Sequence, residues 1–170
     1  MHLARRAWFA AALAAAAALG YFMLFRSPEA EALGTLDRLA RVLSSPPSGE
    51  ARAARRARLE RELAPLCADD VAVEVDGSTR LRGRNALVGL AADSVAADES
   101  VGVELSSPEL RVDGSTASAR GDAVLVRKRA TGVDRDVRRY HVIFRRGGGR
   151  WMATSVEIAR ATHEEPEARP

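Results

Sequence analysis

The sequence predicts an α+β fold: about three helices packed on a curved antiparallel sheet, behind an N-terminal transmembrane helix. Three observations carry this. The chain opens on an uncharged run of 19 residues, Ala7 to Phe25. Leucines then recur at helical spacing through the first half. Finally, four consecutive strand-like stretches, divided by glycine turns, fill the second half. Helices first and antiparallel strands after is the order expected when helices cover one face of a sheet.

The run Ala7–Phe25 is framed by Arg5 and Arg6 on one side and Arg26 on the other. As a helix it would span roughly 28 Å, close to the thickness of a bilayer's hydrocarbon core. Trp8 and Tyr21 suit the two interfacial zones. Residues 1–26 therefore read as a signal anchor, with the N-terminus cytoplasmic and the rest of the chain outside. A cleaved signal peptide is the competing reading, with Ala30-Glu31-Ala32 as its small-x-small site. Either would export the remainder. Ala12, Ala16 and Gly20 make a small-xxx-small row through which two such helices could approach.

Ser27-Pro28 reads as a helix break, with 27–32 as a linker. Leu33, Leu36, Leu39, Ala40 and Leu43 follow at helical spacing, and Ser44-Ser45-Pro46-Pro47-Ser48-Gly49 ends that helix. A second helix is predicted over 50–66, with Ala54, Leu59, Leu63 and Leu66 apolar. Arg52, Arg55, Arg56, Arg58 and Arg61 lie among them and read as a solvated face. Val71, Val73 and Val75 then alternate as a strand that turns at Asp76-Gly77. A third helix is expected over 84–97, carrying Leu87, Leu90, Ala91 and Val95. The remaining strands are expected over 101–112, 116–129, 136–146 and 150–159, with turns at Asp113-Gly114 and Gly147-Gly148-Gly149. Residues 160–170 are an acidic, proline-bearing tail expected to be flexible.

The chain's 170 residues are one-domain length, enough to bury a core without disulfides. Cys67 is the single cysteine and reads as a buried small hydrophobe. The net charge of +3 gives a misleading impression of basicity. Residues 1–26 hold three arginines and no acid, so beyond them 23 basic residues meet 23 acids. Net charge thus gives no argument for nucleic acid as a partner. Charge is nevertheless segregated. Residues 127–150 carry nine basic groups against Asp134 and Asp136, whereas 93–113 carry six acids against Arg111. Arg127, Lys128, Arg129, Arg138, Arg139, Arg145 and Arg146 are therefore expected to form a basic hairpin surface. Such a surface could meet anionic lipid or an acidic protein, or offset the acidic region within the fold.

Residues 67–91, LCADDVAVEVDGSTRLRGRNALVGLA when Leu66 is included, carry a family resemblance. Asp69-Asp70-Val71 leads into a strand, Gly83-Arg84-Asn85-Ala86-Leu87 starts a helix, and Gly149-Arg150-Trp151 opens the last strand. Over 33–159 the chain resembles the SnoaL-like, or nuclear transport factor 2-like, superfamily. The resemblance implies a cone in which helices close over a concave sheet and leave a pocket between. It also implies that a homodimer could form through the sheet's outer face, where Ile143 would lie.

Enzymes of that superfamily place a carboxylate or histidine in the pocket, and the resemblance does not map that pattern cleanly onto this chain. On the strand around residue 140, Tyr140, Val142 and Phe144 share one face, with Arg139, His141 and Arg145 on the other. Tyr140, Val142, Phe144 and Trp151 are the expected pocket residues. His141 is expected outside. Asp122, after Gly121, and Glu157 are the carboxylates on strands near the pocket. With His141 they are the catalytic candidates, because a buried carboxylate can act as a general base. No metal-ligand spacing, phosphate loop, dinucleotide fingerprint or nucleophile-elbow motif appears, so no metal and no cofactor is expected.

The expected function is a membrane-anchored, extracytoplasmic binding or assembly module without catalytic activity, engaging a protein partner or small apolar ligand. Its single anchor followed by such a domain resembles, in layout, an inner-membrane component of type IV secretion systems. The alternative is a small pocket enzyme, an isomerase, dehydratase or hydrolase, using a strand carboxylate or His141. An enzyme requires at least two such groups to converge in one cavity.

Overall fold

The structure, a computed structural model, describes residues 27–44, 50–96 and 99–161. In chain order the elements are α1 (Pro28–Leu43), α2 (Arg52–Leu63), β1 (Cys67–Val75), β2 (Thr79–Arg82), α3 (Arg84–Asp93), β3 (Ser100–Asp113), β4 (Thr116–Arg129), β5 (Gly132–Gly147) and β6 (Arg150–Arg160). The α+β class and the three helices on a curved sheet are as expected. Among the described residues, no helix is long and apolar enough to cross a membrane. The expected anchor over 1–26, and the tail from residue 162, lie outside them.

The first helix begins earlier than the linker reading of 27–32 allowed. Ser27 is its N-cap, accepting from the Ala30 N–H at 3.1 Å, and Pro28 occupies the first turn. A serine cap followed by proline starts a helix as readily as it breaks one, since proline's missing N–H is not needed there. Glu29 and Glu31 in the first turn complement the helix dipole. Ala32, Leu36, Leu39 and Ala40 form the buried stripe.

In α2 the expected solvated arginine face divides. Arg52, Arg56 and Arg61 are exposed, Arg58 is half-buried and Arg55 is 3% exposed, whereas Ala54 points to solvent. Arg55 takes the inward place because it has acceptors there. Its Nη1 donates to Val95 O at 2.6 Å, beside Glu50. A buried guanidinium is tolerable only when so paired.

The sheet runs in the order β2-β1-β6-β5-β4-β3. Neighbours are antiparallel except β1 and β6, which are parallel, so the sheet is mixed at that one junction. β2 was not expected. It is four residues long, largely exposed, and pairs with β1 after the Asp76-Gly77 turn. β3 runs through Pro108, with a bulge between Ser106 and Glu109 and Ser107 at φ 43°. α3 stops at Asp93, short of the expected 97.

The motif Gly83-Arg84 has a structural role. Gly83 sits at φ 97°, donates its N–H to Val71 O at 2.8 Å and accepts from Ala86 and Leu87. Only glycine adopts that φ without strain. Arg84 returns to Asp69 at 2.8 Å and bonds the carbonyls of Ala64 and Cys67, tying α3 to the entry of β1.

The core lies between the helices and the sheet's inner face. Leu59, Leu63, Val71, Val73, Val88 and Phe144 are essentially solvent-free. Truncating a fully enclosed side chain such as Phe144 to alanine would cost about 3–5 kcal/mol. Alanines 117, 119 and 123 on β4 keep the inner face low where α1 passes over β3 and β4.

Candidate functional site

The inner and outer faces of the sheet each carry a recess, and the alternation of side chains decides which residues reach which. On β4, residues 117, 119, 123, 125 and 127 face the helices; on β5, residues 138, 140, 142 and 144 do so. The interior recess is a cavity of about 280 Å³. Leu36, Leu39 and Leu43 of α1 and Leu87 and Leu90 of α3 form one wall. The facing wall is mostly aliphatic side chains of β3–β6, Val142 among them, with the aromatic ring of Tyr140. Of the four expected pocket residues, these two reach the cavity. Phe144 and Trp151 are 0% and 2% exposed and belong to the packed core instead.

Polar groups on the cavity are few. The Tyr140 hydroxyl is buried without a hydrogen-bond partner. Burial, and secondarily the Asp122 charge, hold it above the usual phenol range. Asp76 is the one carboxylate on the lining, and its oxygens are engaged by Arg138 at 2.9 and 3.1 Å and by the Arg160 N–H at 3.0 Å. Arg138 also meets Asp136 at 2.8 Å. Arg127 and Ser94 complete the set. Among the described residues, no pair of free acid–base groups meets in this cavity.

The three catalytic candidates, Asp122, His141 and Glu157, gather on the other side of the sheet. There they line an open depression of about 830 Å³ with Arg120, Arg139 and Ser118. His141 lies opposite Glu157 in register, and its Nδ1 is 3.7 Å from Glu157 Oε2. Its Nε2 is 2.9 Å from Ser118 Oγ. This makes a serine–histidine–glutamate row across β4, β5 and β6, half open to solvent. Ser118 was not anticipated. A lone serine on an alternating strand gives no signal until the register between β4 and β5 is known.

The expected basic surface is not one surface. Arg127 and Arg138 point into the cavity. Arg129 is bound to the buried carboxylate of Glu99, and Arg146 pairs with Glu31 at 2.9 Å over the Trp151 ring. Lys128, Arg139 and Arg145 remain exposed. Along a strand, charges close in sequence are split between faces by the pleat. No cluster of groups able to hold a metal ion occurs among the described residues.

No family model matches the sequence, and no curated protein matches it. Solved structures do. An NTF2-like (nuclear transport factor 2-like) protein with a cystatin-like fold from Novosphingobium aromaticivorans aligns with a TM-score of 0.60 at 21% identity. That alignment covers 87% of this chain and 90% of the other. A structure from Catenulispora acidiphila aligns with a TM-score of 0.62 at 15% identity, over 77% of this chain and 89% of that one. A candidate dehydratase of the NTF2-like family from Streptomyces avermitilis gives 0.61 at 14% identity, over 78% and 94%. Identities this low speak to architecture alone. The chain has the NTF2-like, or SnoaL-like, α+β fold.

Proposed function

We propose that the chain is a non-catalytic binding module whose interior cavity takes a small apolar ligand. One observation carries this reading: the cavity is walled by aliphatic side chains, and its single carboxylate is already committed to Arg138 and Arg160. A preformed concave apolar recess with a few polar groups is what small-molecule sites have in common. The uncharged run Ala7–Phe25 between arginines supports a membrane anchor, with the domain on the extracytoplasmic side. The sheet's exposed outer face, with Val137 at 46% exposure, is suited to a second copy or another protein partner.

The cavity is tested by calorimetric titration of the full chain in lipid nanodiscs with phenylbutanol, a neutral apolar alcohol, against empty nanodiscs. Saturable binding is expected in the wild type and not in Leu90→Trp, which fills the cavity. Heats matching the blank would refute the reading. Orientation is tested by protease treatment of intact spheroplasts carrying a C-terminal tag. Loss of the tag before lysis is expected; protection until lysis would reverse the topology.

The Ser118–His141–Glu157 row favours a second reading, acid–base chemistry at His141 on the outer face. With Nδ1 protonated and turned to Glu157, Nε2 can accept the Ser118 hydroxyl proton, as a serine nucleophile requires. A fluorophosphonate probe would then label Ser118 in the wild type and not in His141→Ala. No labelling of the wild type would dispose of it.

A further inference from the structure

Among the described residues, arginines that leave solvent have partners, with one exception. Arg55 bonds Val95 O and lies beside Glu50; Arg58 binds Glu50 and Glu62; Arg84 binds Asp69; Arg138 binds Asp76 and Asp136. Arg127 is half-buried on the cavity wall, its Nε is fully covered, and its side chain has no hydrogen bond or ion pair among the described residues. Covering a guanidinium donor without an acceptor is costly, and proteins rarely do so without a use.

Among the described residues, two carboxylates could have satisfied it and do not. Glu99 is held by Arg129 and by the Ala96 N–H, with Arg127 acting on it only through its field. Asp134 faces Arg127 across the β4–β5 ladder yet lies outside ion-pair distance. The other cavity arginine, Arg138, is offset by its two aspartates. Among the described residues, Arg127 is therefore the one charge on the lining without an ion-pair partner, at one end of an apolar recess. Six positions along β4, the recess is bounded by Tyr140, which lies beside Gly121.

We infer that the cavity's ligand is an amphiphilic carboxylate: an apolar body enclosed by the leucines and valines, and a single carboxylate bound by Arg127. The guanidinium fork matches a carboxylate in two parallel hydrogen bonds, which a neutral head group cannot reproduce. The apolar walls supply affinity, and Arg127 supplies the choice of head group. This inference rests on the cavity being a ligand site, and the experiment separates the two.

The full chain in nanodiscs is titrated with phenylbutyrate and, in parallel, with phenylbutanol, which differs only in the head group. Wild type is expected to bind the acid at least tenfold tighter than the alcohol. Arg127→Gln should abolish that preference, the acid losing at least tenfold in affinity, in a protein that still unfolds in one cooperative transition. Arg127→Lys should keep part of it, and Arg135→Gln, an exposed charge removed from the facing strand, should keep all of it. Equal binding of acid and alcohol by the wild type, or a preference that survives Arg127→Gln, would overturn the inference and leave the cavity standing. Binding of neither compound would overturn both.

Discussion

The Tyr140 hydroxyl occupies the space that a side chain on Gly121 would need. A Cβ built on Gly121 meets Tyr140 Oη at 3.0 Å and the Ser106 carbonyl oxygen at 3.0 Å. The two residues are directly paired between β4 and β5, so the ring lies across the glycine and toward the β3 bulge. Gly121 is required by this contact and not by its backbone angles.

Gly121→Ala is therefore expected to destabilise the fold by about 1–3 kcal/mol, the usual result of overpacking a tight site. Tyr140→Phe removes a buried hydroxyl that has no partner, and should be neutral or mildly stabilising. In the double variant part of the alanine penalty should be recovered, the remainder being the contacts with the Ser106 carbonyl and the ring carbon Cζ at 3.2 Å. Denaturant unfolding of the four proteins forms a double-mutant cycle. Strict additivity would show that the two residues do not compete for space.

Arg55 is expected to be the most costly arginine to lose. Arg55→Ala strips Val95 O and Ala92 O of a donor at the end of α3 and leaves Glu50 with Arg58 alone. About 2–4 kcal/mol is expected. Arg55→Lys should recover only part, since an ammonium group cannot span the same acceptors. Arg56→Ala, on the exposed side of the same helix with only a Glu60 pair, should stay within roughly 0.5 kcal/mol of wild type. Equal costs at Arg55 and Arg56 in denaturant unfolding would refute the distinction.

The legible parts of this fold were those where a local rule and the tertiary structure agree. The leucine stripe of α1, the Gly83-Arg84 helix start and the glycine turn before Trp151 each follow from backbone needs that leave a residue signature. The failures share a cause. β2 is too short and too exposed to impose alternation, so nothing marked it. Arg55 and Arg127 were judged by charge, although the spacing from Leu59 and from Leu125 placed both on inward faces. Periodicity was the better guide, because a fold can accommodate a charge at an inward position but cannot alter the pleat. The serine–histidine–glutamate row depends on cross-strand register, which no local pattern encodes.

Acid should weaken the junction between α1 and α2. Arg58 binds Glu50 through Nε at 3.0 Å and Nη2 at 3.3 Å, and chiefly this bond holds the Glu50 carboxyl below its ordinary value near 4.5. A carboxyl depressed in the folded state contributes stability that is whole above its unfolded pKa and is lost as pH falls through the folded one. The difference in melting temperature between wild type and Glu50→Gln should therefore be largest at neutral pH and shrink toward about pH 3. A difference that stays constant across that range would remove Glu50 from the acid limb.

Cys67 should be chemically silent in the native protein. It is 1% exposed at the start of β1, and burial pushes its thiol up to about 11 despite the opposing charge of Arg84. At neutral pH its thiolate would be on the order of one part in ten thousand, and thiolate is the reactive form. Covered on all sides, it also lacks a path for the reagent. Modification by a maleimide should thus wait on opening of the β1–α3 region, its rate rising steeply with denaturant. The opening should be easier in Arg84→Gln, which cuts the ties from α3 to Asp69, Ala64 and Cys67. Stoichiometric labelling in native buffer, at the rate of a free cysteine, would mean that this corner of the core is open in solution.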